Sequence, residues 1–396
     1  MGDGPAIATA GPELTGARRV TQELSHSATS AAPASRGGAL DGLRFVASLL
    51  IVLYHFGTEA PVALETMHPV FGRGYLATDF FLILSGFVLG RAYGAQVLSG
   101  RIGVGAFVMK RLARIWPGQL VVLTGLAIVV TAAMLVGFMP DNPQNFTPQA
   151  MVMQLFMVQA WGVDGGGGWN HQSWSLSALL ACYAAFPLVW PWISRLKNAA
   201  ALLSLGLVAL IVGDWLCLAL FQHPIYDLPF HLGVVRAAPL FLLGVCIARV
   251  VEQGAPSPSA ARLLAALALV AVVLLQVSGR HDLPSLVAIA AIVLSFGRLP
   301  VKRPSSLVEQ GAKLSFALFI THSLTGLVWF GALDAVRAGV GLPLWLDWTA
   351  WALSIPAALV AAWLFHVLID DPLQRWLTPR LKDKACASRT GSPAAA

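Results

Sequence analysis

The chain has 396 residues, 57% of them hydrophobic and 11% charged, with a mean hydropathy of +0.72. Water-soluble domains carry about 25% charged residues, so this composition excludes a soluble globular protein and specifies a polytopic membrane protein in a lipid bilayer. The net charge of +7 would suit a nucleic-acid binder, but its distribution along the chain reflects membrane orientation and calls for no nucleic acid.

Residues 1–36 are rich in Ala, Gly, Ser and Pro without an apolar run, and read as a disordered cytosolic tail with no signal-peptide core. Apolar runs of spanning length follow at 39–57, 74–92, 117–139, 174–193, 199–221, 231–250, 259–277, 283–297, 312–332 and 347–369. They predict an all-α protein of about ten transmembrane helices, with the run at 283–297 the shortest. An amphipathic piece at 148–161 falls in the loop before the fourth span. Residues 378–396 read as a second disordered cytosolic tail, which leaves 37–377 as one membrane domain. With the amino terminus cytosolic, inside segments hold 21 of the 26 Lys and Arg residues. Outside segments hold Arg73, Arg280 and Arg337, while Arg44 and Arg236 lie in the membrane. This bias predicts both termini in the cytosol. Four cysteines lack metal-ligand spacing and read mainly as small hydrophobes. No metal is implied.

The first span, ALDGLRFVASLLIVLYHFG, carries Arg44 and His55, two groups that hydrocarbon disfavours. Eleven residues apart, they share one helix face and stand roughly 16 Å apart along its axis. The second span begins GYLATDFF, placing Asp79 at the depth of His55. A carboxylate beside an imidazole fixes its tautomer and raises its basicity, as a general base requires; the same pair would also serve to hold two helices together. Arg111 and Arg114 share a face below the third span. Their guanidinium forks suit phosphate oxygens, and they equally fit an ordinary positive-inside cluster. At the mouth of the fourth span, GGGGWNHQSWSLS offers His171, Trp174, Ser175 and Ser177. These residues suit a sugar-like acceptor or an interfacial aromatic belt. Arg236 in the sixth span expects an inward partner, Asp214 of the fifth span being one choice. His322 lies in the ninth span. Asp370 and Asp371 close the tenth, where an acidic pair beside a helix C-terminus calls for a partner Arg.

Together these motifs resemble the acyltransferase 3 family, bacterial membrane O-acyltransferases of surface polysaccharides and some small molecules. LDGLR at 40–44 with His55 is similar to the family's opening Arg-x10-His signature, and TDFFLILSGFVL at 78–89 to its second-span stretch. Arg111 with Arg114 looks like its Arg-x-x-Arg motif and QSWSLS at 172–177 like its WSLS segment. GAKLSFALFITHS at 311–323 and IDDPLQRW at 369–376 look like its late His and closing acidic-Pro motifs. The resemblance implies transfer of an acyl group, usually acetyl, from cytosolic acyl-CoA to a hydroxyl of a glycan or other acceptor. It also implies residence in the bacterial plasma (inner) membrane. By analogy Arg111, Arg114 and Arg44 would hold the acyl-CoA, and His55, oriented by Asp79, would deprotonate the acceptor or carry the acyl group itself. Trp174, Ser175, Ser177, His171, Arg236 and His322 would contact substrate, with Arg236 available to a thioester oxyanion.

One departure stands out. Family members commonly have a glutamate after WSLSA or WSLSV, where this chain has Leu179. A non-catalytic homologue is therefore weighed beside the enzyme, as is a transporter or flippase that uses the intramembrane charges as a relay. Against transport, no Gly/Pro-broken helices recur in two halves of the chain. The extracytoplasmic esterase-like domain fused to some family members is not expected, so the membrane domain would handle the acceptor alone.

Overall fold

The computed structural model describes Gly2 and residues 38–137, 143–165, 167–301 and 305–379. The expected tails at 1–36 and 378–396 lie outside these apart from Gly2 and residues 378–379. The described bundle belongs to one compact unit, Arg36–Ala396. Ten long helices account for it, and no strand occurs among the described residues. They are α1 (Ala39–Gly57), α2 (Leu76–Leu98), α3 (Val104–Leu135), α4 (Trp174–Arg195), α5 (Ala199–Phe221), α6 (Gly233–Glu252), α7 (Pro258–Ser278), α8 (Asp282–Arg298), α9 (Ser306–Val340) and α10 (Leu344–Phe365). Hydrocarbon offers no hydrogen-bond partners, so apolar runs of this length satisfy their backbone internally as helices. Short polar caps mark the starts: Asn198 Oδ1 accepts from the amides of Ala200 and Ala201, Ser257 Oγ from Ala260, and Ser305 Oγ from Val308.

Helices α2 and α9 run past the expected 74–92 and 312–332, to Leu98 and over Ser306–Val340, and two further helices differ from the sequence reading. α3 starts thirteen residues before the Pro117 boundary and carries Pro117 in its interior, so Arg111 and Arg114 stand on the spanning helix itself. The amphipathic piece expected at 148–161 is a helix only over Pro148–Leu155.

Nine helices among the described residues are long and apolar enough to cross a membrane. The tenth, α8, has 17 residues. At its start Asp282 accepts from Tyr75 beside the start of α2, and at its end Arg298 Nε donates to the carbonyl of Gly254 beyond α6, 2.8 Å away. It therefore runs the full depth of the bundle. Helix α6 is the hub, with 67% of its most apolar stretch buried; the apolar stretches of α5, α7 and α10 are each 22% buried and present leucine- and valine-rich faces outward. α2 and α6 run parallel and touch backbone to backbone. A Cβ at Gly86 would overlap the Phe241 carbonyl, and one at Gly244 the Ile83 carbonyl, so glycine is required at both.

The bundle has a basic end and a loop end. Arg91, Arg101, Lys110, Arg111, Arg114, Arg195, Lys197, Arg249, Arg262, Arg298, Lys313 and Arg375 lie at the first; Arg73, Arg280 and Arg337 lie at the second.

Candidate active site

A cavity of about 220 Å³ opens among α1, α2, α4, α6 and α9 towards the loop end. His55, in the last turn of α1, is in its wall. His55 Nδ1 lies 2.9 Å from the Ile51 carbonyl and 3.2 Å from His322 Nε2, and His322 Nδ1 lies 3.1 Å from the Leu318 carbonyl. Carbonyl oxygens only accept, so both Nδ1 atoms carry hydrogen. His322 Nε2 is then an acceptor, and the Nδ1–H of His55 is shared between it and the Ile51 carbonyl. What remains is Nε2 of His55, unprotonated, on a ring that lines the cavity. The fully buried His322 stands behind His55 as a carboxylate stands behind a catalytic histidine.

Asp79 does not fill that role. Its carboxylate takes a bidentate pair from Arg236, with Nε at 2.9 Å and Nη2 at 2.8 Å, both side chains being almost completely buried. The glycine crossing of α2 on α6 brings the first turns of the two helices together and sets this pairing. Nor does Arg236 meet Asp214, which instead accepts from the amide of Ile225 at 2.9 Å. With two nitrogens on Asp79, Arg236 keeps Nη1 for the cavity it lines, and its guanidinium lies 5.3 Å from the centroid of the Trp174 ring.

The WSLS segment divides between the cavity and the scaffold. His171, Gln172 and Trp174 line the cavity. His171 Nδ1 is 3.1 Å from the Gly167 carbonyl, and its ring packs edge-on to Phe230 at 3.8 Å. Ser177 is buried and ties α4 to the preceding loop, donating to the Met157 carbonyl at 2.7 Å and accepting from the Ala160 amide. Ser175 donates to the Gln172 carbonyl at 3.3 Å. Neither serine lines the cavity, contrary to the sequence expectation: both are buried with their hydroxyls spent on backbone carbonyls. Leu179 is buried as well.

At the basic end, Arg44 is half-buried and lies 3.7 Å from Asp41. Tyr183, hydrogen-bonded to Ser85, lies within electrostatic reach of both Arg44 and Arg111. Arg111 stacks on Tyr93 at 4.3 Å, and its Nε is buried without a hydrogen-bond partner. Arg114 is committed elsewhere. It holds Asp370 through Nη1 at 2.7 Å and Nη2 at 3.3 Å, and covers Phe316. The acidic pair thus finds its arginines: Arg114 for Asp370 and Arg375 for Asp371, at 2.6 Å. Among the described residues no group of three His, Cys, Asp or Glu side chains is placed to hold a metal, the cavity histidines included.

The family model for an acyltransferase domain matches residues 38–367. The chain belongs to the acyltransferase 3 family. The match covers every helix that builds the cavity, and the protein is a multi-pass membrane acyltransferase. This acyltransferase is 26% identical over 374 residues to acyltransferase MdmB of Streptomyces mycarofaciens, covering 86% of this chain and 92% of the relative. It is also 41% identical over 92 residues to Protein 2 in the picA locus of Rhizobium radiobacter, covering 22% of this chain and 42% of that protein. No solved structure matches it.

Several cavity residues of the acyltransferase escaped the sequence reading: Tyr54, Tyr75, Gln172 and Phe230. Gln172 had a signal, lying two residues before Trp174 inside a motif already singled out. Tyr54 adjoins His55 in sequence, but nothing in the pattern separates a lipid-facing tyrosine from a cavity one.

Proposed function

We propose that this acyltransferase moves an acyl group, acetyl by the family's habit, from cytosolic acyl-CoA to a hydroxyl of a glycan or other extracytoplasmic or lipid-linked acceptor. The observation that carries this reading is the His55–His322 pair in the cavity wall, which leaves His55 Nε2 as a lone-pair base. In the reaction, His55 Nε2 takes the hydroxyl proton as the acceptor oxygen attacks the thioester carbonyl. The C–O bond forms, and the carbonyl oxygen becomes an oxyanion beside Arg236 Nη1. The imidazolium so formed is stabilised by its Nδ1–H bond to His322. Collapse breaks the C–S bond, and the departing CoA thiolate takes the proton back from His55 Nε2. Asp79 acts through Arg236: it fixes the guanidinium and balances its buried charge.

The bacterial plasma membrane is the setting that fits. Placing the basic end in the cytosol obeys the positive-inside bias, puts both termini there with ten crossings, and opens the cavity towards the far side. At about 220 Å³ the cavity is smaller than a typical whole-ligand pocket, so it suits the reacting ends of two larger substrates. Arg111, with its unsatisfied Nε, is the leading phosphate ligand, and Tyr183 lies within electrostatic reach of both Arg111 and Arg44. Trp174, Phe230, Tyr54 and Tyr75 give the mouth aromatic faces of the kind that stack on sugar rings.

The test is transfer of label from radiolabelled acetyl-CoA to a panel of glycan acceptors by purified protein, wild type against His55→Ala. Labelled acceptor with wild type alone is expected. Undiminished transfer by folded His55→Ala would overturn the base assignment, and no transfer from any acyl-CoA to any hydroxyl acceptor would overturn the reading as a whole.

A further inference from the structure

A base and one cationic donor leave an acyl-transfer site half built, because a tetrahedral oxyanion is commonly held by two converging donors. The second is present in the cavity wall. Gln172, nine-tenths buried, lines the cavity beside His171 and Trp174, and its Oε1 accepts a hydrogen bond from Ser323 Oγ. A hydroxyl has one hydrogen to give, and here it fixes the carbonyl side of the amide against α9. The NH2 group is left on the other side, with no partner among the described residues.

The behaviour of Ser323 is unusual for its helix. Thr321 and Thr325, its neighbours on α9, both bond back to carbonyls four residues earlier, Ala317 at 2.7 Å and Thr321 at 3.1 Å, as hydroxyls in apolar helices usually do. Ser323 instead reaches across to another element. It also directly follows His322, so two consecutive residues of α9 bear on two cavity groups: His322 accepts from the Nδ1–H of His55, and Ser323 fixes the orientation of the Gln172 amide. Arg236 is held in the same manner by Asp79 from α2.

We infer that Gln172 is a catalytic residue whose Nε2 donates to the thioester oxyanion alongside Arg236, and that Ser323 is the positioning residue that turns this donor into the cavity. The inference rests on the proposed reading of this cavity as the site of acyl transfer. It also assigns work to a stretch where this chain has Leu179 in place of a glutamate, since the polar contribution of the segment then comes from its first residue.

The experiment is steady-state acetyl transfer by the full-length protein with four variants: Gln172→Met, Ser323→Ala, Ser323→Thr and the Gln172→Met/Ser323→Ala double. Methionine keeps the length of the side chain and removes the amide. Gln172→Met should lower kcat by about 10²- to 10³-fold with KM for acetyl-CoA little changed. Ser323→Ala should lower kcat by roughly tenfold, Ser323→Thr should restore it, and the double variant should be no slower than Gln172→Met alone, because a lost donor needs no orienting. Multiplicative losses in the double variant would overturn the positioning role. A Gln172→Met enzyme within about threefold of wild type, beside an inactive His55→Ala, would overturn the donor role and leave the base reading intact. Active His55→Ala with impaired Gln172→Met would do the reverse. Should Gln172→Met fail to fold, Gln172→Asn, which withdraws the amide by one methylene, carries the same expectation for kcat.

Discussion

Replacing His322 with leucine separates the two histidines, because the geometry gives them unequal work. His55 keeps its Nδ1–H bond to the Ile51 carbonyl in the variant, so the productive tautomer survives and Nε2 remains a base. What disappears is the 3.2 Å bond from His55 Nδ1–H to His322 Nε2, which matters most when His55 is an imidazolium. A hydrogen bond to a charged group contributes about 1.5–3 kcal/mol, so kcat should fall by roughly 10- to 150-fold. The fold should tolerate the change: the site is fully buried, leucine is apolar and of similar size, and the Leu318 carbonyl retains its place in the helix ladder. His55→Ala removes the base itself and should cost about 10²- to 10⁴-fold. Initial rates of acetyl transfer from labelled acetyl-CoA, measured with protein shown to be monodisperse in detergent, order the two variants. A His322→Leu loss equal to or deeper than that of His55→Ala would refute the reasoning and make His322 the base.

Asp79→Asn should lower stability and turnover together, since it strands the Arg236 charge in the core at a cost of about 3–5 kcal/mol; thermal unfolding in detergent beside kcat checks this, and a loss of turnover at wild-type stability would return Asp79 to a purely chemical role. Arg111→Ala should weaken acetyl-CoA binding about tenfold or more, measured by calorimetry. Arg114→Ala should leave that affinity almost unchanged and lower stability by about 1–2 kcal/mol, less than for a sealed pair because Arg114 is 40% exposed to solvent. Gly86→Val should abolish the folded protein, because the new side chain meets the Phe241 carbonyl; Gly105→Ala, with nothing within 4 Å, should give wild-type yield on size-exclusion chromatography.

The helices were legible because lipid demands long apolar runs, and the predicted span 199–221 coincides with α5. Depth was legible too: His55 in the last turn of α1 and Asp79 in the first turn of α2 do lie at one level of the bundle. Their pairing was not. Depth comes from position along a helix, whereas partnership depends on which helices adjoin and how each is rotated. Gly86 and Gly244 decide that by drawing α2 onto α6, which hands Asp79 to Arg236 and leaves His55 to α9. The same limit explains the serines. Spacing placed Ser175 and Ser177 beside Trp174, but only the loop packed against α4 makes Ser177 a brace for Met157 and Ala160. The acidic pair called for an arginine, and long-range folding, not local pattern, chose Arg114.

The junction that presents Asp370 to Arg114 is a π-helical turn, His366–Asp370, in which the amide of Asp371 reaches back five residues to the His366 carbonyl. Helix α10 continues beyond it to Pro379, so the turn holds one residue more than the regular helix around it would use. Each residue of an α-helix turns the chain by about 100°. Deleting one residue here would shorten the helix by only about 1.5 Å while swinging the carboxylate roughly a quarter turn or more away from its arginine. The segment therefore works as a phase shifter: it sets the angular bearing of everything downstream almost independently of length. Single-residue insertions and deletions between 366 and 370 should accordingly act as rotations of the basic end, with the membrane-spanning part of α10 left where it was.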